Sequence, residues 1–570
     1  MSPDSKNFDT SQACSEQITK DESPSQLASD EKIRIANIDS GSSTQIAEQA
    51  STDQSDAESI GGQRNSDLPR KRLLISITAL SVCLFVSFLD QTSVSTATPA
   101  VAGELETGTS TSWIGTSFLI ASTAFQLING RLSDIFGRKN MLLLCLFLMG
   151  VGDLACGFAK TPVQLYIFRS IAGVGGMLGA IIALANGVGP FLGGAIVQSA
   201  TWRWVFWMIP IITLPTTAII WFYLPLKHRS GEYIEKIKKI DYGGIVLNIA
   251  STLLLLIPIS GGGVTYAWTS AFFIATVIIS ILLAVLFVLF EWKLAKLPIM
   301  PLRLYHAPHC WALYLQSFLT GLAYFGNFFY LPLYFQSVLG YDALVAGALI
   351  LAVVIPTSLT SILSGQYMSR VGSYMHCILA GFALWTLGNG LTLIFDRETK
   401  LGPLIAILIV EGAGIGFTLQ PTLVGMYANG RSEDRAVTTG LRNFIRTIGG
   451  AFGVVISGVI LSNTLNKELG GKGIVSNDTI AQLTSSTYSL SSMGLSQQDQ
   501  DIILDAYMKG LYYTFVFFTV CSGLSLVLTF WVGNTSLKLP AKTEDASGST
   551  DQEMTEDERP GQVDLEKAQR

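Results

Sequence analysis

Gly130-Arg131-Leu132-Ser133-Asp134-Ile135-Phe136-Gly137-Arg138-Lys139 ends one apolar run, Ser112 to Ser133, and leads into the next, Met141 to Ala159. Each run is about as long as a helix that crosses a bilayer core, roughly 20 residues. The residues between them leave room only for a tight turn, and Gly137 supplies the backbone freedom that such a turn needs. Gly130 lets a second helix approach closely. Asp134 is placed to pair with a base at the same end of the bundle. Arg138 and Lys139 anchor the turn on the cytoplasmic side, where short loops of membrane proteins carry their bases. The stretch reads as the turn of a membrane-spanning helical hairpin.

Composition extends that reading to the whole chain. The 570 residues are 49% hydrophobic and only 14% charged, with 54 glycines; soluble domains run near a quarter charged. Of the 42 acidic and 37 basic residues, 13 and 8 lie in 1–72 and 9 and 5 in 533–570, which leaves 20 and 24 for the 460 residues between. The middle is therefore sparsely and slightly positively charged, and the excess acid belongs to the two ends. This excludes a soluble enzyme, a nucleic-acid binder and a disulfide-stapled secreted module.

The ends, 1–72 and 533–570, are rich in Ser, Gln, Asp and Glu and are expected to be disordered cytoplasmic tails. No secretory leader pattern is visible, so the first span is expected to act as its own insertion signal. The cysteines show no zinc or disulfide spacing, and no metal or cofactor is expected. His228, His306, His309 and His376 all sit at or beyond the ends of apolar runs, which argues against a histidine relay in mid-membrane.

Thirteen apolar segments can be read: Leu73 to Ser95, Ser112 to Ser133, Met141 to Ala159, Leu165 to Gln198, Val205 to Leu224, Tyr242 to Ser260, Ala271 to Trp292, Trp311 to Phe335, Ala343 to Ser364, Tyr374 to Phe395, Pro403 to Met426, Phe444 to Asn463 and Leu511 to Val532. Arg70, Lys71 and Arg72 precede the first, and no base follows it before Ser112, so the N-terminus is expected in the cytoplasm. Basic and base-free loops then alternate. Lys227, Arg229, Lys236, Lys238 and Lys239 mark one inner loop, and Arg431, Arg435 and Arg442 another; Arg397 and Lys400 form the exception, in an expected outer loop. The alternation needs an even number of crossings between Arg138 and Lys227, where three segments are found. Leu165 to Gln198 would then cross twice, which takes at least about 34 residues with no turn.

The decade 130–139 resembles motif A of the major facilitator superfamily. Further pieces resemble its 14-span drug:proton antiporter branch, especially the fungal multidrug and toxin exporters. Leu89-Asp90-Gln91-Thr92 through Pro99 looks like that branch's first-span signature. Arg169 with Gly173, Gly175 and Gly176 looks like motif B, and Gly189-Pro190-Phe191-Leu192-Gly193-Gly194 looks like the antiporter motif C. Trp202 to Phe206, Asp241 to Gly244, Glu291 to Pro298, Tyr330 to Gly340 and Gly412 to Phe417 carry the resemblance across nearly all of Leu73 to Val532. Relative to that pattern, Arg169 and Gly189-Pro190 stand too close together, as if the back of span four and the front of span five were missing.

The resemblance implies an all-α, polytopic membrane protein of the major facilitator fold. It would comprise an N-terminal bundle over 73–225, a linker and two extra central spans over 226–292 and a C-terminal bundle over 293–532, giving two six-helix bundles plus two central helices, with spans four and five shortened or fused. The implied function is no enzymatic reaction but proton-coupled export of amphipathic small organic molecules by alternating access, with drugs, toxins or secondary metabolites as cargo. A monomer in the plasma membrane is expected; a vacuolar or vesicle membrane is the alternative. Alternative functions are a proton-coupled importer or vacuolar transporter of a nutrient, iron chelate or basic amino acid, and an inactive truncated variant.

Charges inside spans cost about 2.5 kcal/mol or more and so mark function. Asp90, Arg169 and Glu411 are the candidates for proton coupling or substrate contact, and Asp153 also stands within a span. Gly130, Asp134, Gly137, Arg138 and Lys139 would gate the inner face. Gly189, Pro190, Gly193 and Gly194 would bend and seal span five. Gln316, Tyr324, Asn327 and Gln420 are polar candidates for the cavity, with Phe325, Phe328, Phe329 and Tyr330 as aromatic neighbours. Gly412 to Gly416 lies inside an apolar span, and Gly470-Gly471-Lys472-Gly473 lacks the Ser or Thr of a P-loop, so no ATP site is expected. Asn477-Asp478-Thr479 is a glycosylation sequon in an expected outer loop.

Overall fold

The computed structural model describes residues 70–107, 113–176, 196, 200–224, 240–261, 266, 269–295, 297–307, 309–341, 343–431, 434–469, 497–535 and 537. The chain forms two units, 1–74 and 75–570; the first is described only at 70–74, and the second holds the helix bundle. The helices are α1 Arg70–Leu105, α2 Trp113–Phe136, α3 Arg138–Cys156, α4 Pro162–Gly175, α5 Arg203–Tyr223, α6 Tyr242–Gly261, α7 Ala271–Lys293, the short α8 Arg303–His306, α9 Cys310–Ser337, α10 Ala343–Val371, α11 Met375–Leu391, α12 Leu401–Asn429, α13 Arg435–Leu469 and α14 Gln497–Leu528. Apart from α8, each answers to one apolar segment of the sequence. Among the described residues, nine helices are long and apolar enough to cross a membrane.

Local chemistry accounts for several helix ends. Gly137 alone joins α2 to α3, at φ +90°, where a side chain would be strained. Thr161 caps α4 by accepting the Gln164 N–H at 3.3 Å, and Pro162 opens the first turn, where its missing N–H costs nothing. Ser270 caps α7 in the same way through the Phe273 N–H, at 3.2 Å. The Glu291 carboxylate accepts the backbone N–H groups of Ile299 and Met300, at 3.2 and 3.1 Å, and so closes the turn after α7. A Cβ on Gly244 would fall 2.6 Å from that same carboxylate, so Gly244 and Glu291, at the outer edges of the α6–α7 pair, meet in space.

Packing follows small residues. Gly152 sits against Ala172 and brings α3 onto α4; Gly173 sits against the Phe118 backbone and brings α2 onto α4. Gly449, Gly450 and Gly453 line the α13 face that meets Phe318, Leu322 and Phe325 of α9. α7 packs on α6, tied by Ser280 donating to the Ser251 carbonyl at 2.9 Å, and leaves Ile274, Ile278, Leu282 and Val285 exposed on its outer surface. In turn, α6 is tied to α2 by Asn248 donating to the Ala124 carbonyl at 2.9 Å.

Two segment ends differ from the sequence reading. α13 starts at Arg435, so Arg442 is not in a basic loop but two turns inside the helix and buried. Two residues before it, Gly440 brings α13 close to α2, where a Cβ would lie 3.0 Å from the Gln126 carbonyl. α14 starts at Gln497 rather than near Leu511. Its polar first turns continue the helix because Ile503, Ala506 and Tyr507, at helical spacing, are buried. Leu461, Leu465 and Leu469 of α13 are likewise buried at one-turn spacing, and Lys509 donates to Glu468 at 2.5 Å. At 35 residues, α13 rises about 52 Å, well beyond a hydrocarbon core of about 30 Å.

The part of Leu165 to Gln198 beyond Gly176, with Gly189, Pro190, Gly193 and Gly194, lies outside the described residues except for Ile196. The same holds for Asn477, Gly470 to Gly473 and nearly all of both tails.

Candidate functional site

Five helices bring the N-terminal charges together. Arg169 of α4 is 1% exposed, and Asp90 of α1 and Asp153 of α3 are fully buried. The Arg169 guanidinium donates to Asp90 Oδ1 at 2.6 Å and reaches Asp153 Oδ1 at 3.5 Å through the same nitrogen. Its Nε donates to the Ile114 carbonyl of α2 at 3.3 Å. The guanidinium carbon lies over the rings of Phe118 of α2 and Phe206 of α5, 4.6 and 5.7 Å from their centroids. Gly173 and Gly175 lie one to two turns further along α4. There they let α4 touch the backbones of α2 and α3 at Phe118 and Met149, which sets the depth at which Arg169 meets both acids.

This cluster holds one cation and two carboxylates. Asp90 Oδ2 and Asp153 Oδ2 are buried and have no hydrogen-bond donor among the described residues. With both acids ionised the cluster is net negative in a water-poor interior, and one proton brings it to neutrality. Proton exchange is the chemistry that the arrangement can perform.

Glu411 of α12 occupies a second buried site, among the C-terminal helices. Asn327 of α9 donates from Nδ2 to Glu411 Oε1 at 2.6 Å and to Asn389 Oδ1 of α11 at 2.8 Å. Asn389 donates in turn to Ser522 Oγ of α14 at 3.1 Å. Trp385 of α11 is the other polar neighbour of the Glu411 carboxylate, beside Asn327. Gly388 faces the Glu411 backbone, which seats α11 directly against α12 at this residue.

The other candidates fall at separate places. Gln316 of α9 donates to the Ser525 carbonyl and to Thr529 Oγ1, at 2.8 and 3.0 Å, tying α9 to the end of α14. Tyr324 is buried, with ring centroids 5.3 Å from Phe325 and 4.7 Å from Phe328. Gln420 is half-buried on α12. Gly130 abuts α13, where a Cβ would fall 2.9 Å from the Ala436 carbonyl. Lys139 donates to the Trp221 and Leu224 carbonyls at the end of α5, at 2.8 and 2.9 Å, and Arg138 is exposed. The Asp134 side chain lies outside the described residues.

Two further groupings were not foreseen. Arg442 and Arg446 are buried one turn apart on α13. Glu104, at the end of α1, accepts from Arg203 and from Trp202 Nε1, both at 2.6 Å. A cation inside an apolar segment was the available signal for Arg446. Arg442 was hidden by lying next to bases that do belong to a loop.

A sequence profile of the Major Facilitator Superfamily matches residues 80–186 and 176–454. Citrate exporter 1 of Yarrowia lipolytica is 36% identical over 86% of this chain and 78% of its own. Efflux pump dotC of Dothistroma septosporum is 34% identical over 70% of this chain and 73% of its own. Among solved structures, the proton:xylose symporter XylE aligns over 83% of this chain and 98% of its own, with a TM-score of 0.51 and 11% identity, a likeness of fold alone. The matched profile, the helical membrane architecture and the exporter relatives agree: the chain belongs to the major facilitator superfamily of membrane transporters.

Proposed function

We propose that this transporter exports small amphipathic organic molecules across the plasma membrane in exchange for protons. The observation that carries the reading is the Asp90–Arg169–Asp153 cluster, one guanidinium shared by two buried carboxylates. In this account the cluster takes a proton from the outside when the carrier faces outward, and releases it to the cytoplasm when the carrier faces inward. Alternating access of the two halves, 73–225 and 293–532, around a midplane cavity couples that proton to the cargo. Glu411 is a second proton-carrying position. Motif A, from Gly130 to Lys139, closes the inner face, with the basic end of α1 in the cytoplasm. The similarity to a citrate exporter and an efflux pump supports the outward direction.

The test compares a host that lacks this gene with the same host carrying the wild type or Arg169→Ala. Wild type should lower the accumulation of an exported compound from a panel of organic acids and drugs, and a protonophore should abolish the effect. Arg169→Ala should accumulate as the deletion does. Accumulation that is the same with and without the wild-type gene, across the panel, removes the export reading.

A further inference from the structure

Arg442 and Arg446 stand four residues apart on α13 and so share one face of the helix. They are 6% and 7% exposed. Among the described residues, no Asp or Glu forms an ion pair with either. Among the described residues, Arg442 donates to neutral oxygens: the Leu419 carbonyl at 2.5 Å, Thr422 Oγ1 at 3.2 Å and Asn443 Oδ1 at 3.5 Å. The Nε atoms of both arginines are buried without an acceptor among the described residues. Arg446 has Tyr324 of α9 as its electrostatic neighbour, and its carbonyl lies against Gly321 of the same helix.

This is the opposite of the Arg169 site, where one buried arginine has two acids. Burying a charge costs several kcal/mol unless a counter-charge meets it. Arginine cannot escape the cost by losing its proton. Two guanidiniums one turn apart add mutual repulsion, which no carboxylate among the described residues relieves by an ion pair. Thr422 of α12 and Asn443 of α13, which accept from Arg442, are buried and neutral; Thr418 of α12 and Thr438 and Thr447 of α13 are further buried hydroxyls on the same two helices. Next to this polar stripe, Phe325 packs on Gly450, and Tyr324 and Phe328 continue the aromatic surface.

We infer that Arg442 and Arg446 form the anion-binding part of the substrate site, and that the exported molecule carries a carboxylate. The planar guanidinium fork matches a carboxylate with two parallel hydrogen bonds. The apolar body of the same molecule lies on Tyr324, Phe325 and Phe328. The inference rests on the export reading and narrows its cargo from amphipathic molecules at large to amphipathic organic acids.

The experiment measures binding and transport separately, on the full-length protein. Tryptophan fluorescence of purified protein in detergent reads the binding of 4-phenylbutyrate, 2-naphthoate and tricarballylate, each against its methyl ester. Wild type should bind at least one acid and bind its ester about tenfold more weakly or worse. Arg442→Gln and Arg446→Gln should each weaken the acid about tenfold and leave the ester unchanged, and Arg446→Lys, which keeps the charge, should recover part of the loss. Elution as a single monodisperse peak shows that each variant is folded. Equal binding of acid and ester, no binding of any acid, or acid binding unchanged in the Arg442→Gln, Arg446→Gln double variant overturns the inference. Proton flux into vesicles holding the wild type, read by an internal pH dye, tests the export reading apart from this. Acid binding without any substrate-dependent flux removes the export reading and keeps the anion site. Flux driven equally by ester and acid does the reverse.

Discussion

Asp90 and Arg169 are 79 residues apart in the chain and 2.6 Å apart in space, both buried, with Asp153 0.9 Å farther from the same guanidinium nitrogen at 3.5 Å. The two acids are thus unequal. Asp90 makes the close, charge-assisted hydrogen bond, and Asp153 supplies a second negative charge beside it.

That inequality predicts a ranking of stabilities. Removing one partner of a buried ion pair costs about 3–5 kcal/mol, because the other charge is left uncompensated. Asp90→Asn should fall at the low end of this range, since Asp153 remains to face Arg169, and Asp153→Asn should cost less. Arg169→Gln, which strands two carboxylates, should cost most. Thermal unfolding of the purified variants in detergent checks the order. Asp153→Asn as damaging as Asp90→Asn would contradict the geometry.

Much of this was legible in the sequence, though not all for the same reason. Helix length in a bilayer is set by hydrophobic thickness, so each apolar segment other than Leu165 to Gln198, of which the 14-residue α4 is the described helix, marked one long helix. Gly137 was readable because a hairpin this tight demands a residue free of side-chain strain, and the backbone there has φ +90°. Arg169 and Asp90 stood out because a charge in a span is expensive. Their pairing did not, since which faces of α1, α3 and α4 meet depends on the contacts at Gly152, Gly173 and Gly175. Arg442 was misplaced because counting bases cannot tell a loop anchor from a buried cation in the first turns of a helix. Arg397, the exception to the charge alternation, pairs with Asp501 and with Asp505, at 2.9 Å for the latter, on the polar turns of α14 that extend past the apolar run.

The α2–α13 contact at Gly130 should tolerate no side chain. Gly130→Val places atoms against the Ala436 carbonyl, and overpacking of this kind costs about 1–3 kcal/mol. Gly103→Val, where no atom lies within 4 Å of the new Cβ, is the control. Export should fall in the first and persist in the second. Equal export from both would show that α2 and α13 do not need this close approach.

At the Glu411 site, hydrogen bonding and charge can be separated. Glu411→Gln keeps an oxygen to accept from Asn327, so its stability should stay within about 1 kcal/mol of wild type. If Glu411 carries a proton during transport, that variant should still bind substrate but lose much of its dependence on the pH gradient. Full gradient-driven export by Glu411→Gln would assign the residue to packing.

Glu104 gives a pH signature outside the membrane core. The hydrogen bonds from Arg203 and then Trp202 hold its carboxyl below the usual carboxylate range. A group whose folded pKa is depressed adds stability above its unfolded pKa and loses that stability as the pH falls through the folded value. The carboxylate is 49% exposed, so its worth is under about 1 kcal/mol. Glu104→Gln should lower the unfolding temperature slightly at pH 7, and the gap to wild type should close below about pH 4. A gap of the same size at both pH values would mean that the residue acts by packing alone.

The central claim is that the Asp90–Arg169–Asp153 cluster links proton movement to cargo movement. Proteoliposomes holding wild type or Asp90→Asn, with an organic acid found to be exported in cells, test it most directly. Two rates are measured: uphill accumulation driven by a pH gradient, and exchange of labelled for unlabelled cargo with no gradient. Wild type should perform both, whereas Asp90→Asn should keep exchange and lose uphill accumulation. Uphill accumulation by Asp90→Asn at the wild-type rate would contradict the account.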